Sequence, residues 1–211
     1  THLAAVLRAL NTQKRLGLDL PLAGYALPEG AGGQRIAFSE GWIKDKLIGN
    51  PRLMGLNDEA RGILLGMVNT GYRPSEGASL GEAQIRLDTD VPHISIEPNG
   101  RELKTEHSER IIPLAGVSLE AFKANPKGFP RYHDKAGLSA TINKFLRENG
   151  LMESDDHTFY GLRHSFEDRM LDRDVDERIR RDLMGHTLNR ERYGKGASLE
   201  KLHQVILSIA L

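Results

Sequence analysis

Between residues 91 and 114 the apolar period of this chain changes, and that change bounds what it can fold into. On either side, apolar residues recur at helical spacing: Ile63, Leu64, Met67 and Val68 before it, Leu199, Leu202, Val205, Ile206 and Ile209 after it. Within it, His93-Ile94-Ser95-Ile96-Glu97 alternates, Pro98-Asn99-Gly100 is a turn signal, and Arg110 to Leu114 makes a return strand. A single strand-period segment among helical ones predicts a mainly α protein with one small antiparallel β-sheet, of α+β class.

The expected helices cover residues 1–16, a segment starting at Ser39 as N-cap, and one capped by Asp58 and ended by Thr70-Gly71. Further helices are expected at about 117–124, 136–149, 161–173, 175–184 and 198–209. Residues 17–36 hold two prolines and five glycines with no period, which reads as a linker or extended wrap. The chain therefore divides into an arm over 1–36 and a domain over 37–211. The arm has little core of its own, and we expect a fragment whose preceding N-terminal domain is missing.

Composition removes several functions. The 211 residues contain no cysteine, which excludes disulfides, thiolate metal sites and a thiol nucleophile and fits a cytosolic protein. No apolar run approaches the roughly 18 residues of a membrane span. HExxH, P-loop, GxGxxG and GxSxG patterns are absent. The spacing of His157, His164 and His186 matches no familiar ligand pattern, so no metal and no cofactor are expected.

Net charge is zero, from 29 Lys+Arg against 29 Asp+Glu, which argues against binding nucleic acid through the overall field. The charge is unevenly spread, however. Residues 101–147 carry nine bases and five acids, whereas 148–156 carry four acids and no base. Nineteen of the bases are arginine, the side chain suited to bidentate phosphate contacts.

Four segments stand out: Thr70-Gly71-Tyr72-Arg73-Pro74-Ser75-Glu76; Leu103-Lys104-Thr105 with Ser108 to Leu114; Tyr160-Gly161-Leu162-Arg163-His164-Ser165-Phe166; and Leu183-Met184-Gly185-His186 with Arg192-Tyr193-Gly194 beyond it. Singly, each has an ordinary explanation as a surface ion pair, a solvated hairpin charge, a helix cap or a half-buried aromatic. In this order they resemble the catalytic domain of the tyrosine recombinases, the phage integrase family, over roughly residues 37–211.

The resemblance implies that family's DNA breaking-rejoining fold, with the arm as the last helix of a core-binding domain plus linker. It implies Arg73 and Arg163 as catalytic arginines, Lys104 as the hairpin lysine, His186 as the final histidine and Tyr193 as nucleophile, supported by Glu76 and His164. Where the family usually has histidine three residues before the second arginine, this chain has Tyr160, and His157 lies three positions further upstream. Tyr160 can donate to a phosphate oxygen but is a poor proton acceptor until ionised. The interval from His186 to Tyr193 is also short by a couple of residues.

The resemblance further implies a metal-independent DNA transesterification through a 3′-phosphotyrosine. The implied partner is duplex DNA carrying an attachment site, bound by a homo-oligomer that is a tetramer on DNA and a monomer or weak oligomer alone, in a bacterial or phage-encoded cytoplasmic setting with no membrane partner. A type IB topoisomerase-like relaxing enzyme and a catalytically impaired DNA-binding relic are the alternatives. The apolar face of the last helix, 198–209, fits either docking on a neighbouring protomer or packing on its own domain.

Overall fold

A computed structural model describes residues 2–20, 36–98, 109–186, 194 and 196–211. The chain divides into two units, Thr1–Gln34 and Arg35–Leu211. In the first, helix α1 (His2–Gln13) stops three residues short of the expected end. Arg15 and Gly17 take left-handed backbone (φ 51° and 62°), which no α-helix continues through. Asn11 closes the turn, its amide donating to Leu18 O at 2.8 Å and its carbonyl accepting from Leu18 N at 3.0 Å.

The second unit opens with α2 (Glu40–Trp42), which widens into a π-helical stretch over Ile43–Leu47. Ser39 caps it as expected: its hydroxyl accepts from Trp42 N at 3.2 Å. Helix α3 (Asp58–Val68) is capped by Asn57 rather than by the expected Asp58. Asn57 holds the extended backbone a cap requires and its side chain accepts from Ala60 N at 3.1 Å, while Asp58 is already helical and pairs with Arg61. Ile63, Leu64, Met67 and Val68 are fully buried, as their period implied. Gly62 and Gly66 let α3 approach its neighbours closely, since a Cβ at Gly66 would lie 2.5 Å from the Tyr72 hydroxyl. A short helix α4 (Pro74–Ala78), a two-residue strand β1 (Ile85–Arg86) and 3₁₀ turns at Pro51–Gly55 and Glu82–Gln84 were not expected.

The sheet is antiparallel, in the order β1-β2-β3, with β2 at His93–Ile96 and β3 at Arg110–Pro113. Ile94 pairs with Ile112 and Ile96 with Arg110. This register puts Arg110 on the same, inward parity as the buried Ile112.

Helices α5 (Gly116–Ala124), α6 (Leu138–Glu148), α7 (Gly161–Leu171), α8 (Glu177–Met184) and α9 (Leu199–Ile209) complete the unit. Helix α6 is plainly amphipathic, burying Leu138, Ile142 and Leu146. Helix α7 is buried on most sides, and its buried residues include Arg163, Ser165 and Arg169 beside Leu162, Phe166 and Met170. Helix α9 buries Ile206 and Ile209 in the core of its own unit and packs against β3. Its end is held by Asn69, which accepts from Leu211 N at 3.1 Å and donates to Leu211 O at 2.9 Å. Arg169 donates to Ile209 O at 2.5 Å from the same side and also reaches Val68 O at the end of α3. No helix among the described residues is long and apolar enough to cross a membrane.

Candidate active site

The site is assembled at the C-terminal end of α8. A helix leaves its last carbonyls without intrahelical partners. Gly185 ends α8 in left-handed backbone (φ 62°), and the two returning amides close a Schellman turn: Gly185 N donates to Asp182 O and His186 N to Arg181 O. The next three carbonyls each receive an arginine from elsewhere in the chain. Leu183 O accepts from Arg110 Nε at 2.8 Å, Met184 O from Arg163 Nη2 at 2.5 Å, and Gly185 O from Arg73 Nη2 at 3.4 Å. The negative end of the helix dipole adds to the attraction for these cations.

Local sequence explains how each arginine reaches that point. Arg73 precedes Pro74, which excludes it from helical backbone; it sits extended (φ −73°, ψ 147°) at the start of α4. Glu76, one turn on, accepts from Arg73 N at 2.8 Å and from Arg73 Nη1 at 2.5 Å. Arg163 projects from buried α7 and also donates to Gly71 O at 2.5 Å. Gly71 has positive φ (58°) and presses on Phe166, where a Cβ would lie 2.4 Å from the ring, so glycine is required there.

Arg110 is the residue that reading the sequence missed as part of the site. From β3 it reaches Glu76 with Nη2 at 2.8 Å and Nη1 at 3.4 Å, and its side chain is only 5% exposed. The signal was present: the alternation through Ile112 puts Arg110 on the inward parity of the strand, where an arginine needs a partner.

Electrostatics follow from this packing. Burial alone would raise the Glu76 carboxyl, but the charge and hydrogen bond of Arg110, with those from Arg73, bring its pKa down to about 2. Burial, then the charges of Arg110 and Arg73, lower Arg163 to about 10, so it remains protonated at neutral pH. His186 accepts from Arg163 Nη2 on Nε2 at 3.1 Å, which in the neutral ring leaves the proton on Nδ1. Burial and then the Arg163 charge lower its pKa below the ordinary histidine value.

Of the expected site residues, the structure brings Arg73, Glu76, Arg163 and His186 together. Tyr160, just before α7, is half-buried, with its ring centroid 5.6 Å from that of His164. His157 is elsewhere. It is buried against Phe38, one ring nitrogen at 2.8 Å from Ser154 Oγ and the other at 3.1 Å from Ala37 O, in the wall of a separate cavity lined also by Glu153, Asp168 and Arg169. Lys104 and Tyr193 lie outside the described residues. Among the described residues no three His, Asp or Glu side chains come together in a metal-holding group.

No protein-family model and no curated protein matches the chain. Among solved structures, it is similar to an integrase from mycobacterium phage Brujita, with TM-score 0.54 and 20% identity over 87% of this chain and 60% of that one. It is similar to the XerA recombinase, with TM-score 0.53 and 17% identity over 96% of this chain and 68% of that one. It is also similar to the Tn1549 transposon integrase in complex with a circular intermediate DNA, with TM-score 0.55 and 14% identity over 96% of this chain and 71% of that one. The chain spans about 60% of the length of the phage integrase it matches. The fold of this chain is that of the tyrosine recombinase catalytic domain.

Proposed function

We propose, from that fold, that the chain is the catalytic part of a site-specific DNA recombinase of the integrase type. It would cut and rejoin duplex DNA through a 3′-phosphotyrosine without a metal ion. The observation that carries this reading is the convergence of Arg73, Arg163 and His186, from three separate segments, on the end of α8. The proposed division of labour assigns residues 37–211 to catalysis, and the arm over 1–36 to a core-binding module and its linker.

In this reading Arg73 and Arg163 grip the non-bridging oxygens of the scissile phosphate, and His186 donates through Nδ1. Preorganised donors of this kind are each worth on the order of 10²–10³ in rate, and they supply the charge neutralisation that metal ions provide in many phosphoryl transfers. The Tyr193 hydroxyl attacks phosphorus, and the bond to the 5′-oxygen breaks. The phenolic proton leaves to a neighbouring base, and the leaving alkoxide takes a proton from Lys104. An ordinary phenol lies about three pKa units above neutrality, or about 4 kcal/mol, which the cationic cluster has to offset. The stretch holding Tyr193 begins at His186 and is tied again at Gly194, whose carbonyl accepts from Arg178 of α8 at 3.1 Å. Both ends of this short stretch are thus attached to the helix that organises the arginines. Tyr160 stands where the resembled family has its box histidine and would add a hydrogen-bond donor to the phosphate, beside His164. A homo-oligomer, tetrameric on DNA, in a bacterial or phage-encoded cytoplasmic setting completes the reading.

The test is covalent capture. A pool of nicked duplexes with randomised sequence around the nick, incubated with the protein, should yield an adduct that survives denaturing electrophoresis. Tyr193→Phe should abolish it while leaving DNA binding unchanged. Binding to the pool without any adduct would instead identify a catalytically impaired DNA-binding protein.

A further inference from the structure

Two guanidinium groups share the Glu76 carboxylate, and only Arg73 belongs to the set expected to touch phosphate. An isolated Arg73–Glu76 pair is electrically neutral, which would leave Arg163 as the one arginine beyond it among the described residues of the centre. With Arg110 present, three guanidiniums among the described residues face one carboxylate, and two positive charges remain in this group. A phosphodiester carries one negative charge, and attack by an oxyanion raises this to two in the pentacovalent transition state.

Each of the three nitrogens of Arg110 donates to a group of the protein itself. Its side chain is 5% exposed, its Nε is fixed on Leu183 O, and a Cβ on Gly185 would lie 2.7 Å from its Nη1. Arg73 keeps 16% of its side chain exposed; Arg163 is as buried as Arg110, but it donates to the half-buried His186 rather than to a carboxylate. The pairing with Glu76 is therefore the route by which Arg110 acts on a phosphate in this centre. Two further charges act on His186 with opposite signs, Glu167 of α7 and Arg181 of α8.

We propose that Arg110 is a positioning residue that takes up the charge of Glu76, so that Arg73 and Arg163 both act on the phosphate as net cations. The proposal rests on the reading of this centre as a phosphoryl-transfer site. A purely structural role makes a different prediction for the double variant. If Arg110 only braces the fold, deleting both Arg110 and Glu76 is at least as harmful as deleting Arg110. If it compensates charge, neutralising Glu76 as well brings the centre back to two positive charges.

The experiment uses the whole chain and inorganic phosphate as probe. Binding is followed by phosphorus NMR at low salt, with a thermal melt of each variant to confirm folding. Arg110→Gln should weaken phosphate binding about tenfold, Arg110→Lys should stay near wild type, and Glu76→Gln/Arg110→Gln should return to within about threefold of it. Adduct formation on captured nicked duplexes should fall on the order of 10²-fold in Arg110→Gln and recover at least tenfold in the double variant. A double variant no better than Arg110→Gln in both assays overturns the proposal, as does wild-type affinity in folded Arg110→Gln. The expected phosphate pattern without any covalent adduct from wild type would uphold the charge role of Arg110 and reject the recombinase reading.

Discussion

Glu76 shows how a single buried carboxylate ties stability to the same charges that would serve catalysis. Its folded pKa is about 2, against 4.5 for an unperturbed glutamate, so its ionised form is favoured by the fold. The sign is that of a depressed acid: the contribution is fully present above about pH 4.5 and is lost as pH falls toward about 2. A shift of this size corresponds to about 3 kcal/mol. Acid unfolding followed by circular dichroism should therefore show a steep loss of stability in that window. Glu76→Gln should be less stable at pH 7, because it leaves Arg110 buried without its countercharge, and should have a flatter acid limb. His186 contributes in a higher range. Its lowered pKa means that the fold favours the neutral ring, so this contribution is present above about pH 6.5 and declines as pH falls below it.

At the scale of elements, the end of α8 is what holds the site together. Three arginines from β3, α4 and α7 satisfy three successive carbonyls there, so the geometry of that helix end sets their spacing. Arg169 repeats the device at the end of α3, where it reaches Val68 O and anchors the end of α9 through Ile209 O. Gly185→Ala tests the first case. Its backbone is left-handed, at a cost of about 1–2 kcal/mol for a residue with a Cβ, and the added methyl would press on Arg110. The melting temperature should fall by several degrees, and phosphate binding should weaken beyond what that destabilisation explains. Wild-type phosphate affinity in folded Gly185→Ala would show that the helix end does not position the arginines.

For the whole molecule, zero net charge remains a constraint on how DNA could be held. Residues 37–211 carry 25 bases and 27 acids, so this region cannot draw DNA through its overall field. Any affinity for DNA would have to come from cations concentrated on one face. Binding of the isolated chain to arbitrary duplex should be weak and should fall steeply with salt. Fluorescence anisotropy between 50 and 200 mM salt checks this, and tight, salt-insensitive binding would contradict the charge argument.

How much of the protein could be read without its structure depended on how local the deciding interaction is. The change of period at 91–114 and the apolar stripes of α3, α6 and α9 are local, and they already specify a mainly helical chain with a small antiparallel sheet. Helix α7 was harder to interpret because its buried face includes Arg163, Ser165 and Arg169, which no hydropathy pattern marks as inward. Helix α4 and strand β1 are too short to carry a period at all. The residue chemistry of Arg73, Arg163 and His186 was also legible, because their motifs are contiguous. That these groups meet, that Arg110 joins them and that His157 does not, was decided only by tertiary structure. The bonds responsible join residues 112, 73 and 21 positions apart, and they form because buried carbonyls at a helix end must find donors wherever the fold supplies them.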